Sequence, residues 1–314
     1  MIRPGDRGLA QRLQSALVGF SERKRELRGV MDASSRESFV QQLVESMRRV
    51  KYVSVLRCRR LGNAFTDPSN DSFDPIKGAI THQRNGNHDE ACWLVFLFVH
   101  FGKHNRGGWR YIREVYGRLN DGNRWTWVNT RVDPAAFRDW LHAHENEIRR
   151  RGVPGGFGNH RKYQSLSATS PTGTGATVES YIDWVGASRS HQQMFDDALQ
   201  RAGADPQKGF DILYHSMSVV VGFGRTARFD YLTMVGKLGL AVIEPGSTYL
   251  SNSTGPLSGA RLLFGGNKDA DLSPNELEGW LRDLESDLQV GMQALEDAIC
   301  NWQKSPSRFI AFRG

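Results

Sequence analysis

Val220-Val221-Gly222-Phe223-Gly224-Arg225-Thr226-Ala227-Arg228-Phe229-Asp230 is the stretch on which the reading of this chain turns. An apolar lead-in meets a Gly-x-Gly turn, and a helix-forming run follows. Upstream, Phe210, Leu213, Tyr214, Met217 and Val221 recur at helical spacing, which predicts a helix with one face in a core. Downstream, Ala227, Tyr231, Leu232, Val235 and Leu238 repeat the pattern, and Gly239 supplies a stop. Segment 210–239 therefore reads as a helix, a tight hairpin and a second helix. Gly222 and Gly224 can take positive φ and let another backbone come close. Amides at the next helix start then point outward, where they can hold a phosphate. Such a grip positions a nucleic-acid backbone without reading its sequence. An isolated Gly-x-Gly is more often a plain helix corner. It is not a dinucleotide fingerprint, because the third glycine is missing and a helix precedes it.

Around this segment the pattern is helical almost throughout. Residues 8–30 and 34–51 read as amphipathic helices, the second opened by Ser34-Ser35-Arg36-Glu37 with hydroxyls at the cap and Glu in the first turn. Residues 62–87, rich in Gly, Asn, Asp, Ser and Pro, read as a long loop or partly extended segment. His88 to His100, Trp109 to Arg118, Pro134 to Arg150, Thr177 to Val185 and His191 to Gly203 read as helices, with Trp125-Thr126-Trp127 as a buried turn. A short helix follows Gly255-Pro256, and Ser273-Pro274 opens a long one reaching about Gln303. Strand-type alternation is scarce and no repeat is present. The expected fold is mainly α, with a helical segment over 1–61 and the main domain over 62–314.

The chain has 314 residues, enough for one large domain or two intimate ones. Its net charge of +7 favours an anionic partner. The basic residues cluster at Arg23-Lys24-Arg25, Arg48-Arg49-Val50-Lys51, Arg57-Cys58-Arg59-Arg60 and Arg149-Arg150-Arg151. Any one run suits a solvated helix face, whereas four together point to a polyanion. Cys58, Cys92 and Cys300 are too few for an ordinary iron–sulfur cluster and too scattered for a disulfide framework. That usage, with a charged N-terminus lacking a signal-type apolar run, leads us to expect a cytoplasmic protein. The longest apolar run, Ala91 to Phe101, is too short to span a bilayer.

Three carboxylates are candidates for chemistry. Glu244 lies 22 positions past Gly222, in the apolar run Leu240-Ala241-Val242-Ile243 just before Pro245-Gly246. Apolar surroundings would raise its pKa or let its charge act through a low dielectric. A carboxylate beside C1′ of a deoxyribose can stabilise an oxocarbenium-like sugar and orient a water. The structural alternative is a carboxylate capping the turn at Gly246 or Ser247. Asp230 competes for the role, the alternative being an ion pair with Arg225 or Arg228. Asp89, between His88 and Glu90, is third, and its charge would also complement a helix dipole.

The Gly-flanked cluster Asn159-His160-Arg161-Lys162-Tyr163 could line a pocket for an extruded base or clamp phosphates. Tyr249 could stack on a base, although an aromatic here is more often core. The expected base pocket is thus Asp89, Asn159 to Tyr163 and Tyr249. The expected DNA contacts are Gly222, Gly224, Arg225, Thr226, Arg228 and Lys237. His100 and His104 have the spacing of a metal pair but no supporting carboxylate, so no metal is expected. No Walker-type loop or serine nucleophile elbow occurs. We expect no cofactor and no obligate protein partner.

These residues resemble known families. Gly222-Phe223-Gly224-Arg225-Thr226-Ala227 followed by Glu244 resembles the helix-hairpin-helix DNA glycosylase superfamily, in which a catalytic Asp follows the hairpin at a similar distance. Lyase-type members carry Lys after the hairpin Arg. Thr226 stands there in this chain, which implies a monofunctional enzyme without a Schiff-base step. Over about residues 80–266 the motifs are similar to those of the α-glutamyl/putrescinyl-thymine pyrophosphorylase family, clade 3. They are His88-Asp89-Glu90-Ala91-Cys92-Trp93, Phe157 to Tyr163, Ser180-Tyr181-Ile182-Asp183-Trp184-Val185, Gly224 to Leu232 and Gly255 to Arg261.

That family is associated with hypermodified phage DNA, and its clade includes an anti-phage DNA glycosylase that excises α-glucosylated 5-hydroxymethylcytosine. The resemblance implies an enzyme that flips a bulky modified pyrimidine from duplex DNA and leaves an abasic site, with Glu244 or Asp230 supporting the transition state. Two alternatives stand beside it. One is a transferase that displaces pyrophosphate from an activated hydroxymethyluracil with an amine. The other is a non-catalytic DNA-binding module.

Overall fold

The computed structural model describes residues 3–151, 155–186 and 190–311. Fourteen α-helices occur among the described residues, and no strand does. They are α1 (Arg7–Arg23), α2 (Ala33–Cys58), α3 (Pro75–Arg84), α4 (His88–Phe101), α5 (Arg110–Tyr116), α6 (Trp127–Val132) and α7 (Pro134–Arg150). Then come α8 (Thr174–Val185), α9 (His191–Arg201), α10 (Pro206–Ser216), α11 (Arg225–Leu238), α12 (Gly255–Gly265), α13 (Pro274–Leu288) and α14 (Met292–Trp302). The fold is mainly α, as the periodicity implied. Among the described residues no helix is long and apolar enough to cross a membrane.

Three sequence expectations need correction. The stretch 62–87 is not mostly loop, for α3 starts at Pro75, with the Asp74 carboxylate accepting from the amides of Ile76 and Lys77. An Asp-Pro start signal was hidden there by loop-like composition. The helix expected to run from Pro274 to Gln303 is two helices, because Gln289 and Gly291 take positive φ of 51° and 83°. The first amphipathic segment likewise stops at Arg23, and only a 3-10 turn covers Arg28–Val30.

The chain divides into two compact units, residues 1–55 with 245–314, and residues 56–244. In the first, Leu13, Leu17 and Phe20 of α1 join Leu277, Leu281, Leu284 and Leu288 of α13 and Leu295, Ile299 and Trp302 of α14 in one buried core. The three- and four-residue spacings put each set on one helix face. Each such side chain contributes about 1.5–3 kcal/mol by leaving water. Ser273 and Glu276 start α13 with a reciprocal capping box.

The second unit is built around α4. Residues Ala91 through Leu97, with Val99, His100 and Phe101, are all buried, as an almost wholly apolar helix requires. α3, α5, α6, α9 and α11 pack against it. Phe96 stacks on Tyr181 (3.9 Å between centroids), Trp93 (5.1 Å) and Phe223 (5.2 Å). The Trp93 indole N–H donates to the Trp125 carbonyl at 2.8 Å. This packing leaves α4 no freedom to slide, so its polar first turn, His88-Asp89-Glu90, is held in a fixed place.

Candidate active site

The hairpin segment folds as a helix, a 3-10 turn over Met217–Val219, a glycine turn and a second helix. The two glycines behave differently. Gly222 has φ +75°, and a Cβ there would come 2.9 Å from Gln164 Oε1. Gly224 has φ −66° and open space around it, so the expected positive φ holds for Gly222 only. Phe223 is buried against Phe96, and the Val221 amide donates to Ser180 Oγ at 2.9 Å. Gly222, Gly224 and Thr226 are exposed, and Gly224 offers α11 no capping side chain. Arg225, by contrast, is buried with its guanidinium over the Phe229 ring. Arg228 lies over Tyr214 and donates to the Tyr214 carbonyl at 3.1 Å. Lys237 is half-buried near the far end of α11.

The structure joins two regions that are far apart in sequence. Asp230 does not pair with Arg225 or Arg228. Its Oδ2 accepts from Arg161 Nη2 at 3.0 Å. Arg161 is buried and also donates from Nε to the Val99 carbonyl at 2.7 Å. Burial lowers the Arg161 pKa, and the Asp230 charge opposes that shift. Of the loop expected to line a pocket, Arg161 is thus an anchor. Asn159, His160, Lys162 and Tyr163 are exposed, with Lys162 Nζ 5.0 Å from the Tyr163 ring centre.

Glu244 is exposed, not enclosed by apolar groups. Its carboxylate accepts from Gln207 Nε2 at 3.4 Å, and its amide donates to the Pro206 carbonyl at 3.4 Å. The apolar run around it alternates outward because it has left the helix, so composition misjudged its surroundings. Tyr249 lies in the other unit, where it is buried.

A cleft of about 540 Å³ opens at the start of α4, within the range of about 300–1,000 Å³ usual for ligand sites. His82, His88, Asp89, Glu90, Tyr116, Arg124, Thr126, Trp127, Val128, Ser190 and Gln192 contribute to its walls. His88 is set by its Nε2–H, which donates to the Leu240 carbonyl at 2.7 Å. The two acids beside it have opposite environments. Glu90 accepts from the Tyr116 hydroxyl at 2.6 Å and the Trp127 amide at 2.7 Å. Burial nonetheless pushes its carboxyl above the ordinary range. Asp89 is about one-third exposed, with a side-chain accessibility of 31%. Burial pushes it upward, but hydrogen bonds from the His191 ring and amide outweigh burial and hold it below the usual range.

Asp89 Oδ1 accepts from both the backbone amide and Nδ1 of His191, each at 2.8 Å. His191 Nε2 lies 2.6 Å from the Tyr181 hydroxyl, which lies 2.8 Å from the Tyr231 hydroxyl. His191, Tyr181 and Tyr231 are fully buried, and burial keeps the imidazole neutral by lowering its pKa. A carboxylate only accepts, so Nδ1 carries the proton and Nε2 accepts from Tyr181. Asp89 was legible in the sequence as a first-turn acid. His191, Tyr181, Tyr231, Arg124 and Trp127 were not, since each reads locally as core or loop. For His191 a signal lay in its place directly after the capping Ser190, and Tyr181 and Tyr231 lay inside the family motifs without a role assigned to them. Among the described residues, no three His, Cys, Asp or Glu side chains converge as a metal site would need.

A family model described as alpha-glutamyl/putrescinyl thymine pyrophosphorylase clade 3 matches residues 34–314. No curated protein and no solved structure matches the chain.

Proposed function

The chain belongs to the alpha-glutamyl/putrescinyl thymine pyrophosphorylase clade 3 family, and from that premise we propose that it is a monofunctional DNA glycosylase acting on a hypermodified pyrimidine. The family description ties it to modified bases. The observation that carries the reading is Asp89, an ionised and partly exposed carboxylate at a cleft able to take a flipped base. In this mechanism the base is extruded into the cleft and its N1–C1′ bond breaks, the bonding pair leaving with the base. Asp89 stabilises the cationic sugar and orients a water. The water oxygen bonds to C1′, its proton passes to the carboxylate and then to solvent, and the departing base takes up a proton. Free base and an abasic site result, a lesion that would disable a phage genome. Asp230 and Glu244 remain the competing carboxylates. The exposed glycines of the hairpin are suited to contact duplex phosphates, and a glucosylated 5-hydroxymethylpyrimidine is the substrate we favour.

The test is incubation with glucosylated phage DNA, unglucosylated DNA and unmodified DNA. Base release is followed by mass spectrometry and abasic sites by alkaline cleavage. Release from the glucosylated DNA alone is expected, and no release from any of the three sinks the glycosylase reading. The family description also favours a second reading, transfer of an amine onto a pyrophosphorylated hydroxymethyluracil. A mass increase on such DNA in the presence of an amine would select it. Asp89→Asn should abolish base release, whereas Glu244→Gln should leave it within a few-fold.

A further inference from the structure

We propose that His191, Tyr181 and Tyr231 are positioning residues, a buried hydrogen-bond relay drawn from three helices that aims the Asp89 carboxylate on a fourth. The role assigned to Asp89 rests on the reading above, while the relay itself stands on geometry. Asp89 comes from α4, His191 from α9, Tyr181 from α8 and Tyr231 from α11. Each link is 2.6–2.8 Å long. Three of the four groups are fully buried in aromatic surroundings, with Trp127 4.4 Å from the His191 ring and Phe96 3.9 Å from Tyr181.

Polar groups are kept in such a place only when their bonds are made, and here proton placement follows one direction. Tyr231 donates to Tyr181, Tyr181 to His191 Nε2, and His191 Nδ1 to Asp89. Tyr181 therefore selects the tautomer that faces the carboxylate with a donor. Both bonds from His191 fall on Oδ1 of Asp89. Among the described residues Oδ2 takes none, which leaves it available at the cleft. Tyr231 also follows Asp230 on α11, so this helix joins the hairpin to the carboxylate through one rigid element.

The groups that can influence Asp89 are His191, His88, Glu90, Cys92, Tyr181 and Tyr231, and Arg131 from α6 acts on the His191 ring. Of these, only His191 bonds to the carboxylate. Its side chain can be replaced in graded ways. His191→Asn keeps a donor near the Nδ1 position, His191→Leu removes it, and Tyr181→Phe frees the ring to adopt the wrong tautomer.

The experiment follows the Asp89 carboxyl carbon by NMR across pH in the full-length protein with labelled aspartate, without DNA. The wild type should titrate below an ordinary aspartate. His191→Leu should move Asp89 upward by about one pH unit or more, Tyr181→Phe should move it the same way, and His191→Asn should move it least. If His191→Leu does not fold, the comparison of His191→Asn with Tyr181→Phe decides. An Asp89 titration unchanged in every folded variant overturns the relay. Base release is then measured on glucosylated DNA. A loss of about 10–100-fold is expected in the relay variants, with the acid limb moved to higher pH. Full activity in Asp89→Asn alongside shifted titrations would refute the catalytic reading and leave the relay standing.

Discussion

The direction of the relay makes a quantitative prediction about Tyr181 and Tyr231. Tyr181→Phe removes a hydroxyl that donates to His191 Nε2 and accepts from Tyr231, at 2.6 and 2.8 Å in a fully buried site. It orphans one acceptor and one donor. Each orphan costs about 1–3 kcal/mol, so the loss should be about 2–6 kcal/mol. Tyr231→Phe removes only the terminal donor and leaves every remaining O–H and N–H of the relay paired. Its cost is an ordinary hydrogen bond, about 0.5–1.5 kcal/mol. In the double variant the orphaned donor is gone and only His191 Nε2 lacks a partner, which costs about 1–3 kcal/mol. The second substitution should therefore restore stability to Tyr181→Phe. Additive effects would instead make the double variant the least stable of the three. Urea unfolding followed by far-ultraviolet circular dichroism measures the midpoints, with equal slopes as the control that the comparison is valid. A double variant less stable than Tyr181→Phe would refute the assigned donor order.

His100 should make the protein acid-sensitive. Burial first, and the Arg161 charge second, lower its pKa to about 3, so the unfolded chain binds a proton near pH 6.5 that the folded chain refuses. Stability contributed by the neutral ring is present above about 6.5 and is lost progressively as pH falls towards 3, on the order of 4–5 kcal/mol in full. Its Nε2–H donates to Thr174 Oγ1 at 2.9 Å, so His100→Gln can keep the bond. A denaturation series across pH should show a flatter slope in that variant. The two hairpin glycines should separate cleanly. Gly222→Ala should cost about 1–2 kcal/mol through its left-handed φ of 75°. Gly224→Ala should stay within about 0.5 kcal/mol, because nothing lies within 4 Å of the added carbon. Binding to duplex DNA should weaken steeply with salt, and Thr226→Glu at the exposed helix start should weaken it further. A flat salt profile in a binding assay would count against phosphate contact.

Much of the fold was legible in the sequence because helix formation is local. The spacing of Phe210, Leu213 and Tyr214, and of Tyr231, Val235 and Leu238, was enough to place the two helices and the turn between them. Ser273-Pro274 and the apolar run after His88 marked helix starts for the same reason, since caps and periodicity act within one turn. Where loop-like composition masked a cap, as at Asp74-Pro75, or where Gln289 and Gly291 broke a continuous pattern, local reading failed.

The candidate site is different in kind. That Asp89 is acidic and near a helix start could be read directly. That it is ionised, and held so by His191, depends on α9 arriving beside α4 from 102 positions away. Whether Glu244 sits among apolar groups, and which arginine meets Asp230, depended equally on chain packing. Sequence alone determined the helices, the basic balance and the family motifs, because these are properties of neighbours along the chain. Tertiary structure decided which carboxylate is desolvated, paired and aimed at a cleft, because pKa and orientation are set by groups that only folding brings within hydrogen-bond distance.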